Sequence, residues 1–103
     1  MRIISKKPLR EFWEKHPDAK EPLLFWYRVT KKARWQNLAA AKKDFPHADL
    51  YLCCTIFNIK GNDFRLIAKV FYGHQKVFVR HVLSHRDYDR EKWKNDCQSK
   101  KED

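Results

Sequence analysis

Two stretches of this chain carry residue types suited to chemistry on a phosphate. One is Phe64-Arg65, an arginine directly after an aromatic in a strand-like run; the other is Ser84-His85-Arg86-Asp87-Tyr88-Asp89, a polar cluster that closes a later run. The planar fork of an arginine matches phosphate oxygens and keeps its charge. Histidine exchanges a proton near neutral pH, a tyrosine hydroxyl donates or orients one, and a neighbouring carboxylate, Asp87 or Asp89, fixes an imidazole tautomer. The same cluster also makes an ordinary hydrogen-bonding corner at a strand end. By residue type alone that corner is the commoner case, and both readings stay open.

The elements that must position these residues run from Phe57 to Asp89. In FRLIAKVFY, Phe64, Leu66, Ala68, Val70 and Tyr72 are apolar at every second place, while Arg65 and Lys69 fall between them. Period-two alternation marks a half-buried strand with one core face and one open face. YLCCTIFNI before it and KVFVRHVLS after it read as strands too, joined by turns at KGND and around Gly73 to Gln75. The expectation is a three-stranded antiparallel meander. A four-residue first turn pairs Ile59 with Phe64 and Phe57 with Leu66, placing Asn58 beside Arg65 on the open face. A four-residue second turn pairs Tyr72 with Val77 and Val70 with Val79. That register sets Arg65, Lys69, Arg80 and Ser84 on one open face and the odd-numbered apolar residues of the last strand in the core. Gly61 and Asn62 suit the positive φ of a tight turn, and Lys60 beside them can contact phosphate or simply be solvated.

Before the meander the chain reads as helical support. Arg2 to Ile4 suits an edge strand. Ser5 and Pro8 suit the cap and first turn of a helix whose stripe is Leu9, Phe12, Trp13 and His16, ended by Pro17. Asp18 and Glu21 have capping-box spacing, and Leu23, Trp26, Tyr27 and Thr30 continue a second helix to about Lys32. The short join makes the two helices antiparallel neighbours whose aromatics pack into a core rather than stack on bases. Asn37 caps a short third helix through Lys43, which Phe45-Pro46 ends. After the cluster, REKWKND forms a final helical turn or two anchored by Trp93. The expected order is β-α-α-(α)-β-β-β-α, an α+β fold in one domain over 1–103, with a frayed tail from about 98.

The 103 residues carry 23 lysines and arginines against 13 acids, a net charge of +10 with pI near 9.7. The excess is spread over both halves, so a polyanion or an acidic masking protein is the expected partner. No apolar run reaches the length of a membrane span and no signal-peptide core follows the N-terminus, so an intracellular protein with no membrane partner is expected. Cys53, Cys54 and Cys97 are odd in number and lack CxxC spacing; neither a disulfide framework nor a zinc ribbon is expected, and a reducing compartment follows. His81 and His85, four apart on a strand, are too distant to share one ion.

Together FNIKGNDFRLIAKVFY, VFVRHVLSHRDYD, the opening RIISKKPLREFWEKHPDAKEPLLFWYR and AAAKKDFPHADL closely resemble the HigB-type toxins of type II toxin-antitoxin operons, within the RelE/ParE-like superfamily. The likeness runs to Tyr88 or Asp89. It implies a small α+β fold, an antiparallel sheet backed by N-terminal helices. It further implies a cytoplasmic mRNA interferase that cuts mRNA at the translating ribosome, needs no cofactor, and is held inactive by a HigA-like helix-turn-helix antitoxin, with operator DNA bound only through the antitoxin complex. Cleavage without metal uses the RNA's own 2′-hydroxyl, and so requires a base, an acid for the leaving 5′-oxygen and a cation for the phosphorane. On this reading Arg65, His85 and Tyr88 are catalytic, Lys60, Lys69, Arg80 and Arg86 bind RNA, and Asp87 and Asp89 orient. The chain has Ser84, His85 and Asp87 where such toxins more often have threonine, histidine and glutamate. Only Lys60 matches the lysines on which RelE relies.

Two competitors belong to other classes. ParE-like proteins of the same fold bind gyrase and cut nothing, but lack the arginine, histidine and tyrosine set. A basic nucleic-acid-binding module without activity would satisfy the net charge alone.

Overall fold

Residues 1–98 are described by a computed structural model of the protein; of the expected tail, 99–103 lie outside the described residues. Strand β1 (Arg2–Ile4) leads into helices α1 (Lys7–Lys15), α2 (Lys20–Lys32) and α3 (Leu38–Asp44). Strands β2 (Asp49–Tyr51), β3 (Cys54–Ile59), β4 (Phe64–Phe71) and β5 (Lys76–Ser84) follow, then helix α4 (His85–Asp89) and a 3-10 segment, Lys92–Cys97, designated α5. The result is the expected α+β arrangement: one five-stranded sheet in the order β1-β5-β4-β3-β2, with the N-terminal helices on one face.

Helices α1 and α2 form where the apolar stripes lie. Leu9, Leu23, Trp26 and Thr30 are buried, with Phe12, Trp13 and Tyr27 half-buried around them. Two expected caps differ. The N-cap of α1 is Lys6, not Ser5, and α2 starts after a 3-10 turn (Pro17–Ala19) at Ala19, with no side-chain cap. Asp18 cannot complete a capping box because its carboxylate turns to Lys60, 2.9 Å away. Asn37 does cap α3, accepting from the Ala40 amide at 2.9 Å.

The core between helices and sheet centres on Phe57, which is fully buried and packs against Trp26, Trp35 and Phe45 at centroid distances of 5.5, 6.0 and 5.4 Å. This is the packed role expected of the helix aromatics. From the sheet, Leu66, Ala68, Val77 and Val79 join it.

The first hairpin has the expected register, Ile59 with Phe64, Asn58 with Arg65 and Phe57 with Leu66. Its turn takes positive φ at Gly61 (+63°) and also at Lys60 (+53°). Three strand expectations are corrected. The run from Tyr51 to Ile59 is two strands: Leu52, at φ +52°, and Cys53 turn the chain so that β2 folds back on β3. Tyr72 lies in the second turn rather than in β4, so Phe71 pairs with Lys76 and Val70 with Val77, a slip of two from the expected pairing. Finally, pairing passes from Ala68–Val79 to Ile67–His81, leaving Arg80 as the extra residue of a bulge. A bulge reverses the alternation beyond it. Val82 therefore faces the helices, Leu83 faces away, and Ser84, opposite Phe64, leaves the open face on which it was expected.

Candidate active site

The sheet face away from the helices carries a second, smaller core of Cys54, Ile56, Ile67, Trp93 and Cys97. Segment α5 lies across this face. It is fastened by a disulfide between Cys54 and Cys97, residues 43 apart in sequence whose Cα atoms are 5.5 Å apart. This corrects the expectation of no disulfide. Cysteine spacing along the chain does not reveal a pair joined by tertiary packing, and only Cys53 is free.

With α5 in place, the cationic face splits in two. Arg65 occupies one end, opposite Leu83 of β5 and Asn58 of β3. Its Nη1 donates to the Asn62 carbonyl at 2.8 Å, and its guanidinium lies 4.9 Å from the centroid of the Tyr88 ring. The Tyr88 ring also stacks on Trp93, with centroids 5.2 Å apart and planes inclined by 8°. The indole Nε1 of Trp93 donates to the Tyr88 carbonyl at 3.0 Å. Tyr88 is thus in contact with both the Arg65 guanidinium and the Trp93 indole. The Tyr88 ring is half-buried in these contacts.

Helix α4 supplies the rest of this end. Ser84 caps it, its Oγ accepting from the Asp87 amide at 3.2 Å. His85 and Asp89 stand one turn apart, with Nδ1 and Oδ2 at 2.9 Å and both side chains more than half exposed. Nδ1 is engaged by the carboxylate, so Nε2 is the nitrogen left for a substrate. Of the two acids considered as partners, Asp89 holds the imidazole; Asp87 instead lies 4.0 Å from Arg90. Arg86 is exposed beside them.

At the other end the bulge turns Arg80 to Asp96 of α5, through Nε at 2.8 Å and Nη2 at 3.1 Å. His81 Nε2 reaches the same carboxylate at 3.1 Å, and the positive field of Lys69 also falls on it. The hydrogen bond from Arg80 holds the Asp96 carboxyl below the usual carboxylate range, and Asp96 raises Arg80 in turn. Arg80 is thereby neutralised, while Lys69 is half-buried on β4, roughly 13 Å along the strand from Arg65. Lys60 stands apart in the first turn, paired with Asp18 at 2.9 Å and Asp63 at 3.5 Å. The hydrogen bond to Asp18 raises its pKa.

Among the sequence-derived residues, Arg65, Tyr88, His85 and Asp89 therefore gather at the β4–α4 end, with Arg86 and Asp87 on the same short helix. Arg80 and Lys69 lie beyond α5. Sequence reasoning missed Asp96 and the stacking role of Trp93. No local pattern marks either, because each acts on residues that only the folded sheet brings near.

A sequence model of HigB_toxin, described as the RelE-like toxic component of a toxin-antitoxin system, matches residues 19–91. The chain is 32% identical over 92 residues to the mRNA interferase toxin HigB of Escherichia coli strain K12, spanning 86% of this chain and 88% of that one. It shows the same identity and coverage with the mRNA interferase HigB of Shigella flexneri. With an mRNA interferase HigB of Escherichia coli O6:H1 it is 30% identical over 93 residues, 87% of this chain and 90% of the other.

Proposed function

The chain belongs to the HigB toxin family, and from that membership we propose how its open face works on RNA. It is the toxin of a type II toxin-antitoxin pair and an mRNA interferase, an RNA endonuclease that inhibits translation. The residue-level reading is supported by two side-chain pairs carried by the β4–α4 end, Arg65 against the Tyr88 ring and His85 held by Asp89.

In this mechanism His85 Nε2 takes the proton of the 2′-hydroxyl, whose oxygen attacks the adjacent phosphorus. Asp89 keeps Nδ1 protonated and so presents Nε2 as the base. Arg65 donates to the non-bridging oxygens as the phosphorane gains charge, the stage at which fixed donors contribute most. The Tyr88 hydroxyl delivers a proton to the departing 5′-oxygen. The products are a 2′,3′-cyclic phosphate and a 5′-hydroxyl, and no metal ion takes part. Lys69 and Arg86 hold flanking phosphates, and Arg80 adds the donors that Asp96 leaves free.

The substrate is mRNA presented by the translating ribosome, in the cytoplasm, and 1–103 acts as one toxin domain. A HigA-like helix-turn-helix antitoxin neutralises it, and operator DNA is met only through that complex. Incubating the purified toxin and its Arg65→Ala variant with mRNA, with and without translating ribosomes, tests the reading. Cuts by the wild type alone, in the ribosome arm, support it. Equal cutting by both proteins sinks the assignment of Arg65.

A further inference from the structure

Segment α5 does more than close the second core. It holds the Trp93 ring against Tyr88, its Nε1 bonds the Tyr88 carbonyl, and Asp96 ties its far end to Arg80 and His81. Trp93 is 4% exposed and Cys97 fully buried, so the segment is packed, not draped. Yet α4 and α5 are short, and Glu91 between them has φ +63°, a conformation that costs energy in a non-glycine residue. Six residues of 3-10 helix hold poorly by themselves. What fastens them is the tertiary packing, the Asp96 contacts and one covalent bond, Cys54–Cys97.

We propose that α5 is a positioning clamp for the Arg65–Tyr88 pair, that Trp93 is its working residue, and that the Cys54–Cys97 bond sets whether the clamp is closed. The proposal rests on the RNA-cleavage reading for its effect on rate, though not for its effect on Tyr88. With the bond formed, Trp93 backs the phenol and the phenol backs the guanidinium, so both groups meet the phosphate pre-oriented. A cellular dithiol opens the clamp by exchange. It gives up two electrons and two protons, becoming a disulfide itself, while Cys54 and Cys97 become thiols. A reducing cytoplasm therefore holds the toxin in its slower form, and oxidative conditions shift it to the faster one. Trp93 touches no substrate; it acts through Tyr88.

The test uses the full chain in a Cys53→Ser background, which removes the neighbouring thiol from exchange, compared oxidised and after dithiothreitol. Two quantities are read: single-turnover cleavage on ribosome-bound mRNA, and the Tyr88 ring-proton shift in tyrosine-labelled protein, assigned with Tyr88→Phe. In the oxidised protein the indole's ring current displaces the Tyr88 signal. Reduction should move that signal towards its exposed position and slow cleavage by about ten- to a hundredfold, the range that a small misplacement of reacting groups produces, with KM within about twofold. Cys54→Ser/Cys97→Ser should be slow and indifferent to dithiothreitol, and Trp93→Leu slow in both states. Trp93→Phe, which keeps a ring against the phenol, should recover most of the rate. Should Trp93→Leu fail to fold, the two redox states of the parent protein decide the matter. A rate and a ring shift both unchanged by reduction overturn the clamp and leave the interferase reading intact. A ring shift that moves as expected in a protein that cuts no RNA supports the clamp and overturns the interferase reading.

Discussion

Replacing Asp89 by alanine removes the carboxylate 2.9 Å from His85 Nδ1, and the structure sets how much that should cost. Hydrogen bonds to charged groups contribute about 1.5–3 kcal/mol when shielded from water. Here the side chains are 54% and 61% exposed, so solvent screening brings the expected contribution down to about 1 kcal/mol. Since about 1.4 kcal/mol is a factor of ten, Asp89→Ala should slow cleavage roughly fivefold. His85→Gln removes the base itself and should cost about a hundredfold or more. In the His85→Gln background the Asp89 change should cost almost nothing, because Asp89 acts only through the imidazole. Single-turnover rates of the four proteins give the coupling directly, and thermal melting should place all four within about 1 kcal/mol of one another. Independent, multiplying effects of the two substitutions would refute the assignment of Asp89 as the orienting group. So would an Asp89→Ala defect as deep as that of His85→Gln.

Three further outcomes follow from the geometry. Arg65→Ala should abolish growth arrest, and its loss of two carbonyl hydrogen bonds, one of them long at 3.4 Å, and one ring contact should lower stability by only about 1–2 kcal/mol, measured by urea unfolding. Phe57→Ala should lower stability by about 3–5 kcal/mol in the same assay, since it empties the centre of the aromatic core without touching the site. Asp96, whose folded pKa is depressed by Arg80, contributes stability that is complete above its ordinary value of 3.8 and is lost as the pH falls from there through the lower folded value. Melting temperatures of wild type and Asp96→Asn should differ at pH 6 and converge as the solution is acidified below 3.8. A gap that persists at the acid end would contradict the Arg80–Asp96 pairing.

Much of the fold was legible because it is written locally. Helical stripes, the Asn37 cap and the KGND turn each fix their own neighbourhood, and the first hairpin places Arg65 beside Asn58 through a turn of unambiguous length. The second turn has no such marker: GHQK and YGHQ are both four residues long, and the chain takes the latter. Arg80 sits at a bulge that alternation alone does not reveal, because Val77, Val79 and Val82 are apolar on both sides of it. The break at Leu52-Cys53 interrupts a run of strand-forming residues with a positive φ at a leucine, which composition argues against. At the site, His85, Tyr88 and Asp89 were legible as a polar cluster near Arg65 in the meander. The Trp93 stack, the Asp96 contacts and the Cys54–Cys97 bond were not, since each joins the C-terminal segment to strands 15 to 43 residues earlier or to a helix whose ring orientation depends on it.

The most direct measurement of the central claim is the chemistry of the RNA ends. Purified wild-type toxin, freed of antitoxin, is incubated with mRNA on translating ribosomes, and the fragments are mapped by primer extension and their termini identified by ligation and phosphatase sensitivity. A parallel arm of naked mRNA at the same toxin concentration should yield no fragments. The mechanism built on Arg65, His85 and Tyr88 predicts 2′,3′-cyclic phosphate and 5′-hydroxyl ends, formed by the wild type and not by Arg65→Ala. Fragments bearing 5′-phosphate and 3′-hydroxyl ends, or no fragments from the wild type in any arm, would contradict it.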